Sequence, residues 1–120
     1  MVQALAGLIV VLLLAGCDAR PPEHDAATGG NPRKGKELIA HYGCGSCHKI
    51  KGVPGANATV APSLEDIAKR VYLAGRLENK PETLEKWIVD PRSVDPKTAM
   101  PRVGVDAAQA RDIAAYLYNQ

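Results

Sequence analysis

Cys44-Gly45-Ser46-Cys47-His48 places two thiols three positions apart and an imidazole directly after the second. Cys-x-x-Cys-His is the spacing of a c-type haem attachment site. Each thiol can add to one haem vinyl group, and the imidazole that follows can reach the iron from below the ring. Two other chemistries use paired cysteines. A thioredoxin-type dithiol wants a βαβ setting, and no strand-like alternation is visible around this motif. A zinc site needs two further ligands. If Cys17 is committed elsewhere, only His24 and His41 remain to supply them. The haem reading is preferred.

The rest of the chain has room for such a group. Of its 120 residues 46% are hydrophobic, yet there is no Phe, one Trp and four Tyr. The side chains that usually fill the centre of a small domain are therefore scarce. A domain of this size has a thin core and gains from a staple such as a metal or cofactor. The length excludes a (β/α)8 barrel enzyme or a two-domain dinucleotide enzyme. Fifteen basic residues against thirteen acidic ones give a charge of +2. That balance, without like-charge blocks, speaks against nucleic acid as a partner. Three cysteines cannot all be paired within the chain.

Helical signals dominate residues 33–120. The segment 34–42 carries Leu38 and Ile39 on one side and stops at Gly43. Ser63 as N-cap, with Leu64, Ile67, Ala68 and Val71 on one face, predicts a helix over 63–71. Pro81 opens a third helix, with Leu84, Trp87 and Ile88 as its apolar face and Pro91 as its stop. The fourth has Asp106 as N-cap and Gln109 at the capping-box position, then Ala110, Ile113, Ala114 and Leu117. Loops rich in Gly and Pro occupy 52–62 and 90–104. The expectation is an all-α domain of about four helices.

Residues 4–16, ALAGLIVVLLLAG, form an apolar run too short for a membrane span of about 20 residues. Its length suits a signal-peptide hydrophobic region, although Met1-Val2-Gln3 carries none of the usual positive charge. Leu14-Ala15-Gly16-Cys17 resembles a bacterial lipobox, which implies cleavage before Cys17 and lipidation of its sulfur and amine. The expected organisation is a lipoprotein signal peptide over 1–16, a lipidated cysteine and flexible tether over 17–32, and a folded domain over 33–120. The tether reading rests on DARPPEHDAATGGNP at 18–32, which has three prolines and no apolar periodicity. Two or more acyl chains anchor stably. The location implied is the periplasmic face of a bacterial membrane, the inner one being preferred.

The domain resembles the class I cytochromes c, with a haem motif near its start and a methionine near its end. In that family the second axial ligand is the Met of a Met-Pro step before the last helix. Met100-Pro101 matches that step, and Met100 is the only methionine left once Met1 departs with the signal. The closer resemblance is to the small cytochrome domains fused to, or encoded beside, subunit II of haem–copper oxidases. It is carried by Tyr42-Gly43-Cys44-Gly45-Ser46-Cys47-His48, by LEKWIVDP at 84–91, and by Met100-Pro101 followed by DIAAYL at 112–117. Pro62-Ser63-Leu64 is similar to the family's Gly-Pro-x-Leu step, with Ala61 in place of the glycine. The resemblance implies a class I cytochrome c fold around one haem c, covalent through Cys44 and Cys47 and ligated by His48 and Met100. It implies that Pro62 and Leu64 lie against the haem. Arg70 and Trp87, and less strongly Tyr72, are implied as donors to the haem propionates. Tyr116 and Leu117 are expected to pack the last helix across the first, near Gly35 and Ile39. His41 is expected to be an exposed helix residue.

An iron with both axial positions filled has no open site for substrate, so the implied role is one-electron transfer rather than catalysis. The preferred function is a membrane-tethered respiratory carrier. It would take electrons from a quinol-oxidising cytochrome complex or a dehydrogenase and pass them to a subunit II-like acceptor of a terminal oxidase. The alternatives are a haem subunit of a periplasmic dehydrogenase and, less favoured, a gas sensor or peroxidase-like protein. Arg33, Lys34, Lys36, Lys49 and Lys51, against Glu37 alone, would steer a haem edge toward acidic partners.

Overall fold

The computed structural model describes residues 23–120. Four helices form the body: α1 (Pro32–His41), α2 (Pro81–Val89), α3 (Pro91–Val94) and α4 (Ala107–Tyr118). Helix α1 starts where Asn31 turns its side-chain oxygen onto the N–H groups of Arg33 and Lys34, and α4 where Asp106 accepts from the Gln109 N–H. In α4 the Gln109 side chain returns the bond to the Asp106 N–H at 3.1 Å, completing the expected capping box.

α1 and α4 form the principal helix pair, and α2 packs against α4. At their crossing α1 and α4 come so close that a Cβ on Gly35 would lie 1.9 Å from the Asp112 carbonyl oxygen and 3.0 Å from the Tyr116 Cβ. Only glycine allows that approach. Tyr116 therefore lies across Gly35 as expected, while Leu117 is buried in the same cluster as Ile39. That cluster also holds Ile50, Ile67, Leu73, Leu84, Ile88 and Ile113, and its buried members carry no aromatic ring.

Three expectations are corrected. The helix expected over 63–71 is reduced to one 3-10 turn, Ile67–Lys69. Tertiary bonds take its backbone groups first. Leu64 N–H donates to the Lys49 carbonyl at 2.9 Å, Arg70 holds the Ser63 and Glu65 carbonyls, and Gln120 Nε2 holds that of Leu64 at 2.6 Å. Asp66 then takes a left-handed conformation, φ 55°, which no helix continues.

A two-stranded antiparallel hairpin, β1 (Tyr72–Leu73) and β2 (Leu77–Glu78), appears where no strand was expected. Its reversal uses Ala74 and Gly75 at positive φ, 48° and 72°.

Residues 25–31, expected to belong to the tether, are instead fastened to α4. Asn119 Nδ2 donates to Asp25 Oδ1 at 2.7 Å, and the Asn31 N–H donates to Asp112 Oδ1 at 2.7 Å. The signal peptide and Cys17 lie outside the described residues.

Candidate functional site

The motif sits in a tight turn immediately after α1. Gly43, at φ 69°, reverses the chain behind Tyr42 and starts a 3-10 turn, Cys44–Ser46. The N–H groups of Cys47 and His48 both bond back to the Cys44 carbonyl, at 3.2 and 3.0 Å. Gly45 is small for a reason, because a Cβ there would meet that of Ala56 at 2.7 Å. Cys44 and Cys47 are unbridged thiols, both half-buried. Burial pushes the Cys44 thiol above its ordinary range, and Cys47 beside it adds to the effect.

The loop 61–64 is stitched to this turn. Ala61 N–H donates to the Cys47 carbonyl at 2.8 Å, and the Leu64 N–H donates to that of Lys49 at 2.9 Å. His48 Nδ1 lies 2.7 Å from the Pro62 carbonyl oxygen. A carbonyl can only accept, so Nδ1 is the donor, and in the neutral ring that leaves the Nε2 lone pair free. A bond of this kind fixes the orientation an imidazole would present to a metal. The replacement of the family glycine by Ala61 leaves that bond in place.

Pro62 is exposed and Leu64 packs half-buried against the aliphatic cluster. The Arg70 guanidinium donates to the Ser63 and Glu65 carbonyls, bracing the same loop. Trp87 is half-buried on α2 between the buried Leu84 and Ile88. Met100 is half-buried on the loop between α3 and α4, and its N–H donates to Thr98 Oγ1 at 3.2 Å. Asp95 shapes that loop by accepting from the Lys97 N–H with its side chain and from the Thr98 N–H with its carbonyl, both at 3.0 Å. Tyr72 is exposed on β1, and the exposed His41 stands edge-on to Tyr42 at the end of α1.

The geometry thus joins His48, Pro62, Ser63, Leu64 and Arg70 into one braced unit around the two thiols. Met100 and Trp87 stand on other elements. Sequence reasoning missed Asn79. Its Nδ2 donates to the Ile67 and Arg70 carbonyls at 2.8 and 2.7 Å, while its Oδ1 accepts from the Tyr118 hydroxyl at 2.7 Å. It locks the Arg70 turn to the end of α4. A lone Asn between Glu78 and Lys80 carries no sequence signal of that duty.

The chemistry of these groups fits a covalently held, planar apolar cofactor. Val60, Val71, Tyr72 and Val103 are 80%, 70%, 62% and 39% exposed, and each lies within three residues of Pro62, Arg70 or Met100. Among the described residues no group of three or more His, Cys, Asp and Glu side chains is placed to hold a metal ion. The short antiparallel hairpin is no βαβ unit.

Comparison with known proteins agrees. The family model for cytochrome c matches residues 32–120. Similar curated proteins are cytochrome c oxidase subunit 2 of Alkalihalophilus pseudofirmus, 34% identical over 57% of this chain, and that of Bacillus sp. strain PS3, 38% identical over 53%. Subunit 2 of Bacillus subtilis is 28% identical over 72% of the chain. These alignments span only 19%, 18% and 25% of the relatives' own lengths.

Proposed function

The chain belongs to the cytochrome c family, and from that premise we propose that it is a lipid-anchored monohaem carrier handing single electrons to a terminal haem–copper oxidase. The covalent haem c of the family supplies one-electron exchange at its iron when bound. Cys44 and Cys47 would hold it by thioether bonds, and His48 Nε2 and the Met100 sulfur would supply the protein's ligands to its iron. The observation that carries this reading is the 2.7 Å bond from His48 Nδ1 to the Pro62 carbonyl, which fixes the imidazole with Nε2 free beside two unbridged thiols.

The protein's part is to hold and to tune. Pro62 and Arg70 keep the His48 ring from turning, and a ligand that does not reorganise favours rapid electron exchange. Thioether sulfur from Met100 raises the potential relative to a second nitrogen ligand. Trp87, and Arg70 through its remaining N–H groups, are the donors proposed for the propionates. The exposed valines and Tyr72 would seal the edge.

The acceptor is inferred from the relatives, which are named as oxidase subunit 2. Arg33, Lys34 and Lys36 are all exposed, a surface suited to acidic partners. A lipid on Cys17 would confine the carrier to the membrane plane and raise the partner's effective concentration.

The deciding experiment is an absorption spectrum of the purified protein, oxidised and reduced, with a pyridine haemochrome test, followed by turnover with oxidase vesicles. A c-type haemochrome, the weak red iron–sulfur band and stimulated oxygen uptake are expected. A haem protein that oxidase cannot oxidise would overturn the acceptor. A colourless protein from cells able to mature cytochromes would overturn the whole reading.

A further inference from the structure

Residues 25–31 form a closed, hydrogen-bonded strap. Asp25 N–H donates to the Gly30 carbonyl and the Gly29 N–H returns to the Asp25 carbonyl, both at 2.7 Å. The Asp25 carboxylate also takes the Ala27 and Thr28 N–H groups and the Thr28 hydroxyl, at 3.1, 2.7 and 2.9 Å. The strap enters at the C-terminal end of α4, where Asn119 holds Asp25, and runs back to mid-helix, where Asp112 holds the Asn31 N–H. It lies so close that a Cβ on Gly30 would sit 2.2 Å from the Arg111 carbonyl oxygen. The same end of α4 is tied to the segment after the motif, since the Lys51 N–H donates to Gln120 Oε1 at 3.1 Å and the Tyr116 hydroxyl to the Lys51 carbonyl at 2.6 Å.

We propose that this strap orients the domain on a lipid bilayer, with the C-terminal end of α4 and the Lys51 loop as the membrane-side edge. The proposal rests on the lipidation of Cys17 put forward above. Only seven residues, 18–24, separate Cys17 from the fastened Asp25. Seven residues, even fully extended, can never span more than about 25 Å. The opposite end of α4 is about 18 Å further along the helix axis. A leash this short, attached at one edge, sets which side of the domain faces the membrane and which side is left for a partner. Releasing the strap would double the leash to fourteen residues and lower the effective concentration of a membrane partner about threefold.

The test uses the full-length, lipidated holoprotein in phosphatidylcholine vesicles containing a nitroxide-headgroup lipid. A fluorophore is placed at Lys51→Cys or at Ala108→Cys, one at each end of α4, and quenching is compared. Labels at position 51 should be quenched at least threefold more strongly than labels at 108. Gly30→Ala, which expels the strap, and the milder Asn119→Ala should bring that ratio toward one and slow oxidase-coupled turnover about threefold in vesicles but not in detergent. Equal or reversed quenching in protein that floats with the vesicles overturns the orientation. Protein that fails to float refutes the lipid anchor itself, and the orientation falls with it.

Discussion

Two side chains show how single residues set this protein's chemistry. Met100 is the one methionine in the described structure and stands on a loop held by Asp95 and Thr98 rather than in the core. Met100→Ala is expected to fold, because the aliphatic cluster does not include it. It should lose the weak red band, lower the reduction potential and let the ferrous protein take up carbon monoxide, all visible by spectroscopic titration. An unchanged band would sink the ligand assignment. Tyr118 gives a pH prediction. Burial, with the Glu82 and Glu85 carboxylates adding to it, pushes its phenol up to about 12 from an ordinary 10. A raised folded value means the contribution of the buried neutral phenol is fully present below pH 10. It is lost as pH climbs from about 10 to about 12. Denaturant unfolding across that window should show wild type losing stability more steeply than Tyr118→Phe. The motif cysteines and His48 could be picked out as candidates from residue types and spacing, and Met100 from the family resemblance. Asn79 could not, because its value comes from carbonyls twelve and nine positions away that only the fold brings to it.

The elements divide in the same way. α4 was readable because Asp106, Gln109 and the apolar spacing all favour one local answer. The 63–71 segment carries a cap and a helical stripe as well, but there the local preference is outweighed by bonds to Lys49 and Gln120 from elsewhere in the chain and by the Arg70 side chain folding back within the segment. The hairpin was hidden by a mismatch of residue and conformation. A tight reversal with two positive-φ positions normally announces itself as Asn-Gly or Asp-Gly. Here the first is Ala74, held at φ 48° with its neighbour Gly75 at 72°. An L-residue with a Cβ pays strain at that position, and asparagine pays less. Ala74→Asn should therefore stabilise the protein, by about 0.5–1 kcal/mol. Thermal unfolding checks it, and a lower midpoint would show that the turn relaxes in solution to another form.

At the scale of the whole molecule the protein is a thin aliphatic core with an apolar rim left facing outward. Its buried cluster holds no aromatic ring, while Val60, Val71 and Tyr72 are mostly exposed. Covering three such side chains contributes about 1.5 kcal/mol or more each, so roughly 5 kcal/mol in total. Domain stabilities are only about 5–15 kcal/mol. The haem is thus expected to be a structural member as much as a redox centre. The variant Cys44→Ser/Cys47→Ser, which cannot form thioethers, should lose most of its stability. Part of the fold is held by bonds that owe nothing to the cofactor: the α1–α4 crossing at Gly35, the Asp106–Gln109 box and the Asn79 lock. The expected product is therefore a loosened chain that keeps some helix, shows no cooperative thermal transition and binds hydrophobic dyes. Circular dichroism and calorimetry of the variant beside wild type decide it. A cooperative transition at the wild-type temperature would mean that the aliphatic core suffices, and that the rim of valines serves a partner rather than the haem.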